Sequence, residues 1–294
     1  MHLHDGKGTN EMDDIVSTDW VFNALEAGNI CVIDATRHHF APERDAQAEY
    51  LRGHIPGALF LDMDSFYDPS SPTENTIPSP EQFSERIGKL GIRPDEKIVI
   101  YDDSIVKTAA RAWFIFTLYG FKSVAVLDGG LAKWVSEGKP LSAGAEIPRP
   151  GTRYVAIKDN SRVRNKKDIL TNIEEKSELV VDGRGVNHFT GRDPDPNAFV
   201  EPGHIPGSVN VPFWDLFGVD GTFRSTEELR ELFHDRGVDL NKALITSCGS
   251  GVVACSLILA FRRVGKVDVA LYDGSWTEWG SDHTTPKKIG NQQV

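Results

Sequence analysis

Gly53-His54-Ile55-Pro56-Gly57 recurs letter for letter as Gly203-His204-Ile205-Pro206-Gly207. Around this pair, other segments also return in order. Asp128-Gly129-Gly130-Leu131-Ala132-Lys133-Trp134 reappears 145 positions later as Asp273-Gly274-Ser275-Trp276-Thr277-Glu278-Trp279, and Ile30-Cys31-Val32-Ile33-Asp34 is echoed by Leu179-Val180-Val181-Asp182. A period near 145 residues is far too long for a solenoid unit, so the repeat is a duplicated domain. The 294 residues suffice for two such domains.

Within each half, short β-branched runs alternate with helical patterns. The runs predict strands over 30–34, 98–101 and 124–127, with helices near 18–27, 80–90, 105–119 and 130–138. In the second half they predict strands over 179–182, 243–247 and 268–272, with helices near 164–175, 225–236 and 251–264. Strands alternating with helices define the α/β class, each half a mainly parallel sheet flanked by helices. The Pro-, Gly- and Ala-rich stretch Leu141 to Arg153 reads as the linker.

Composition excludes several functions. With 32 basic against 43 acidic residues the net charge is −11, and an acidic surface repels a phosphate backbone, so no nucleic-acid partner is expected. Three scattered cysteines are too few for a disulfide framework or a four-ligand zinc site, which points to a reducing compartment and no metal. The opening residues lack an apolar core and an arginine, so neither a signal nor a transit peptide is expected. Ala243 to Phe261 is uncharged, but Thr246-Ser247-Cys248-Gly249-Ser250-Gly251 interrupts it, and it reads as strand, loop and buried helix rather than a membrane span.

That interruption carries the chemistry. In open α/β sheets ligands bind beyond the carboxyl ends of strands. Cys248 follows a strand and precedes a glycine loop and a helix, where converging backbone N–H groups and the helix N-terminus favour a thiolate at neutral pH. Cys248 is therefore the candidate nucleophile. A tyrosine-phosphatase loop would place arginine at the position of Ala254, and no local signature supports a cysteine protease. A neutral Gly/Ser loop suits a sulfur atom carried as a persulfide anion.

These motifs make the chain similar to the tandem-domain rhodanese superfamily of sulfurtransferases. Both GHIPG segments, Asp128-Gly129-Gly130, the DGSWTEW stretch and the loop Cys248-Gly249-Ser250-Gly251-Val252 carry the resemblance, the loop matching the mercaptopyruvate type rather than the thiosulfate type with its basic loop residues. It implies two rhodanese-like domains at 15–143 and 159–284, joined by a linker at 144–158, only the second being catalytic. The repeat offset places Asp103 opposite Cys248, which fits an inactive first half. The implied reaction transfers sulfur from a small-molecule donor to Cys248 and then to a thiol, thioredoxin or cyanide, with no cofactor, in a cytoplasmic protein or one of the mitochondrial matrix. The alternative is a divergent paralogue acting as a sulfur-relay or binding module.

The resemblance also assigns site residues. Asp64 and Ser250 match two members of an Asp-His-Ser relay, with Asn75 in the histidine's place. Gly249, Gly251 and Val252 belong to the binding loop, and Arg184 to the motif that follows the strand 179–182. His188 and Asn197 stand where the family carries the two arginines that hold the donor carboxylate, with Arg184 and Arg192 as possible substitutes. Cys31 and Cys255 read as packing residues, and His54 and His204 as structural groups of the repeated turns. Trp276 and Trp279 are expected to pack the chain's end beneath the loop. Arg111 faces either the interdomain cleft or the core. The second half, about 155–294, is expected to fold alone but to transfer sulfur poorly.

Overall fold

The computed structural model describes residues 12–195 and 197–290. The leader reading of the first eleven residues, and Pro196 within the Pro-acid-Pro run, lie outside them.

The first domain contains β1 (Ile15–Val16), α1 (Thr18–Glu26), β2 (Cys31–Asp34), α2 (Ala46–Arg52), β3 (Leu59–Phe60), α3 (Pro80–Lys89), β4 (Ile98–Tyr101), α4 (Thr108–Leu118), β5 (Val124–Leu127) and α5 (Gly130–Ser136). The second contains β6 (Val163–Arg164), α6 (Lys166–Glu175), β7 (Glu178–Asp182), α7 (Val186–Thr190), β8 (Val209–Asn210), α8 (Thr226–Asp235), β9 (Ala243–Ser247), α9 (Ala254–Arg263), β10 (Val269–Tyr272) and α10 (Ser275–Ser281). The two sheets run β1-β5-β4-β2-β3 and β6-β10-β9-β7-β8, the same order twice. Every pairing between these strands is parallel, so helices cover both faces and the central strands are mainly apolar, with polar residues such as Asp34, Asp182 and Ser247 at their carboxyl ends.

The local chemistry of the two halves also repeats. Helices α3 and α8 both open with a capping box, Ser79 with Gln82 and Ser225 with Glu228. His54 and His204 each turn Nδ1 to a backbone carbonyl at 2.8 Å, of Tyr50 and Phe189, and stack on those same rings. The repeated GHIPG turns are thus stitched in the same way. The two-residue edge strands were not legible in the sequence, because two residues establish no periodicity.

Helix α4 is buried on all sides, which is why its sequence, Thr108-Ala-Ala-Arg-Ala-Trp-Phe-Ile-Phe-Thr-Leu118, shows no polar face. It packs on its own sheet and on α9 of the second domain, and one apolar cluster runs from Ile100 and Phe116 through to Leu257 and Phe261. The halves therefore share a core. The linker is bound too: Thr152 N–H donates to the Gly88 carbonyl at 3.0 Å, and Arg149 pairs with Glu96.

Two reciprocal contacts tie the domains together. Asp128 of the first accepts the Phe223 N–H at 2.8 Å, and its repeat partner Asp273 of the second accepts the Ile77 N–H at 2.9 Å. The repeated Asp-Gly motif is thus a pair of interdomain latches.

Candidate active site

Strand β9 ends at Ser247 and delivers Cys248 to a loop. The helix that follows starts at Ala254, three residues later than the sequence pattern predicts, because Gly251 takes φ +76 and interrupts the helical path. A Cβ at Gly251 would stand 2.8 Å from the Asp273 carbonyl oxygen, so the position requires glycine for space as well. The loop wraps so that the N–H groups of Ser250, Gly251 and Ala254 are directed at the Cys248 sulfur.

The cysteine's own backbone is held from α10. Cys248 N–H donates to the Ser275 hydroxyl at 3.1 Å, and the Cys248 carbonyl accepts from Trp276 N–H at 2.9 Å. The Gly249 carbonyl takes both the N–H and the hydroxyl of Thr277, at 2.8 and 2.9 Å. Ser275 occupies the place of Gly130 in the repeat and adopts φ +49, a left-handed conformation unusual for serine. Its hydroxyl, anchored to the Tyr272 carbonyl at 2.8 Å, is what this position contributes to the site. Trp276 and Trp279 are buried beneath the loop, Trp279 donating to the Pro286 carbonyl near the end of the described chain.

Cys248 is 1% exposed. Burial pushes its thiol above the ordinary range, and the three loop N–H groups pull it down only in part. The expectation of a thiolate at neutral pH is therefore corrected: desolvation outweighs the helix N-terminus in the free protein. Burial also pushes up the other two thiols, Cys31 to about 11 and Cys255 to about 12. Cys255 donates to the Gly251 carbonyl at 3.4 Å within the core, and Cys31 lies 3.1 Å from Arg149 Nη1.

A cavity of about 660 Å³ opens over Cys248 between the domains. Gly249, Ser250 and Val252 of the loop line it, as do Arg184, His188 and Asn197. Gly251 does not; its carbonyl is turned to the first domain. Phe213 and Trp214 form an apolar wall, and Arg37, His39, Phe40 and Glu74 close the first-domain side. Those first-domain groups sit in the irregular segments after β2 and before α3, which carry no periodic signal, and the sequence reading missed them.

The relay suggested by resemblance is not assembled. Asp64 is absent from the cavity wall, its side chain 75% exposed, and its carboxylate takes Arg37 Nε at 2.6 Å. The Asn75 carbonyl oxygen accepts from the same guanidinium, while its amide nitrogen is buried without a partner among the described residues. Arg37 thus joins the two positions in place of a proton path to Ser250. Nor does Arg111 face the cleft. It is buried between the domains, bonded to Asp273 Oδ1 at 2.7 Å, to the Gly251 carbonyl at 3.2 Å and to the Asn75 backbone carbonyl at 2.5 Å.

The proposed substitute arginines are not equivalent. Arg184 chelates Asp182 through Nε and Nη2 and lies 4.3 Å from the Trp276 ring centre, so its charge is balanced in place. Among the described residues the Arg192 side chain bonds Asn187, at 3.4 Å, and it stands outside the cavity wall. In the first domain the expected equivalence of Asp103 is corrected by one residue. Tyr101 pairs with Asp34 as Ser247 pairs with Asp182, and Leu131 N–H donates to the Asp102 carbonyl at 3.0 Å as Trp276 N–H does to that of Cys248, so the buried carboxylate of Asp102 stands in the cysteine's place.

A doubled parallel α/β domain with a cysteine loop at one sheet's carboxyl edge is the rhodanese architecture. The rhodanese-like domain family matches residues 17–137 and 165–282, and the chain belongs to it. The chain is 41% identical over 271 residues to human 3-mercaptopyruvate sulfurtransferase, covering 90% of this chain and 91% of that protein. It is 39% identical over 273 residues to thiosulfate sulfurtransferase of Bos taurus, again covering 90% and 91%. Among solved structures, the 3-mercaptopyruvate sulfotransferase SseA of Escherichia coli superposes with a TM-score of 0.82 at 33% identity, covering 90% of this chain and 99% of that one. The enzyme class these relatives share, sulfurtransferase, is the class of this chain. Among the described residues no helix is long and apolar enough to cross a membrane.

Proposed function

We propose that this protein takes a sulfur atom from 3-mercaptopyruvate onto Cys248 and passes it to a small thiol. The observation that carries the reading is Cys248 itself, at the bottom of the interdomain cavity with three loop N–H groups aimed at its sulfur. The thiolate attacks the donor sulfur; the donor's carbon–sulfur bond breaks, and its electron pair leaves on carbon as the enolate, which takes a proton to give pyruvate. Cys248 then carries the persulfide, whose terminal charge the loop N–H groups stabilise. An acceptor thiolate attacks the outer sulfur, forms a new persulfide and releases Cys248 as thiolate. In the first step the two sulfurs are oxidised to the persulfide level as the donor carbon is reduced, and in the second the persulfide is exchanged for a thiol, so neither step needs an outside oxidant.

Ser250 and the loop glycines position this exchange, and the cavity's neutral loop favours a singly charged donor over the thiosulfate dianion. The replacements at Asn75, His188 and Asn197 favour a second reading, a binding or relay module with little donor turnover. Mass measurement of the intact protein after treatment with 3-mercaptopyruvate, and separately with thiosulfate, decides between them. One added sulfur, removed by a thiol and absent in Cys248→Ser, is the expected result. An unchanged mass with both donors overturns the transferase reading for these substrates.

A further inference from the structure

Resting on that reading, we propose that Arg37 of the first domain is the cation that receives the carboxylate of the sulfur donor, across the cleft from Cys248. Arg37 and Cys248 line the same cavity from opposite domains. The guanidinium is held in place by two bonds, Nε to Asp64 at 2.6 Å and Nη1 to the Asn75 side-chain oxygen. Nη2 makes no hydrogen bond among the described residues, and the side chain is 21% exposed. A guanidinium anchored through Nε and Nη1, with Nη2 free, is pre-organised to take a carboxylate oxygen.

The remaining charges of the cavity make Arg37 decisive. Arg184 also faces it, but its charge is cancelled by Asp182, with which it is buried as a pair. Asp64, the partner of Arg37, lies mostly in water, where its charge is screened. His39 stands beside Arg37 in the wall, and burial lowers its imidazole below the ordinary value, so it adds no charge at neutral pH. His188 lacks the fixed charge of a guanidinium. Two carboxylates, Glu74 and Asp195, also line the cavity. Against these two carboxylates Arg37 is, among the described lining residues, the one guanidinium not cancelled within a buried ion pair, and its local field is what favours an anionic donor. The opposite wall, Phe213 and Trp214, suits the uncharged part of a short keto acid.

The test uses pyruvate as a probe that cannot donate sulfur, with methyl pyruvate as its uncharged counterpart. Binding is followed in the full-length Cys248→Ser protein by intrinsic tryptophan fluorescence, Trp214 standing in the wall. Arg37→Gln should raise the dissociation constant of pyruvate at least tenfold and leave that of the ester within twofold; Arg37→Lys should fall between. In the parent background the same change should raise KM for 3-mercaptopyruvate more than it lowers kcat. Equal pyruvate affinity in Arg37→Gln and its reference protein overturns the proposal. So does equal loss for acid and ester, or no measurable pyruvate binding by the reference protein. If pyruvate binds as expected but the parent gains no sulfur from 3-mercaptopyruvate, the anion site stands and the transferase reading fails.

Discussion

Arg111 of the first domain donates to the carbonyl oxygen of Gly251, at 3.2 Å, inside the loop that cradles Cys248 in the second. The loop's geometry thus depends on a residue 140 positions earlier. Arg111 is paired at the same time with Asp273, at 2.7 Å, and both are largely shielded from water. Removing one partner of such a pair leaves an uncompensated buried charge, which typically costs about 3–5 kcal/mol.

Arg111→Met should therefore lower stability by about 3–5 kcal/mol in denaturant unfolding and reduce the rate of persulfide formation at least tenfold. The double change Arg111→Met with Asp273→Leu removes both charges and should recover part of the stability without the rate. Recovery of both would show that Arg111 serves stability alone.

Cys248→Ser should abolish sulfur transfer, while Cys31→Ser and Cys255→Ser should keep most of it, since both of those thiols are buried away from the cavity wall. Persulfide mass on each variant separates the three. Sulfur retained on Cys248→Ser would contradict the proposed nucleophile.

The pH dependence follows from burial. Desolvation holds the Cys248 thiol above its ordinary pKa, so the protonated form prevails at neutral pH and the reactive thiolate grows as pH rises. Alkylation of Cys248 by iodoacetamide, read by mass, should keep accelerating well beyond pH 8.5, where an unperturbed thiol is half ionised. A plateau below pH 8 would mean that the loop N–H groups outweigh burial after all.

The two family arginines supply a reciprocal test of the cavity charge. The sequence alone predicts that His188→Arg with Asn197→Arg raises kcat/KM for 3-mercaptopyruvate at least tenfold in the parent, since each charge-assisted bond contributes roughly 1.5–3 kcal/mol. With Arg37 in the wall, the gain should be small in the parent and exceed tenfold in the Arg37→Gln background. Steady-state kinetics on the four proteins checks this.

The separated second half is expected to behave differently from the sequence reading. Helix α9 is buried along nearly its whole length, partly against α4, and the apolar cluster is continuous across both domains. A fragment of about 155–294 exposes that face and should aggregate or remain partly unfolded, rather than fold as an inactive domain. A cooperative unfolding transition in the soluble fragment would restore the original expectation.

Much of the architecture was legible from residues alone. The repeat gave two domains, and β-branched runs of four or five residues located the six central strands, because parallel strands covered on both faces are written as continuous apolar segments. Cys248 was legible because a cysteine between a strand and a glycine loop needs no distant partner to be recognised. What the sequence left open depends on distance in space. Whether Asp64 reaches a relay or an arginine, whether Arg111 meets solvent or Asp273, and which cation faces the donor are set by side chains from segments 27 to 162 positions apart. Local pattern fixes which segments become strands and helices. The packing of α4 against α9 decides which of their charges remain in the cleft and which are buried, and burial in turn decides whether Cys248 rests as thiol or thiolate.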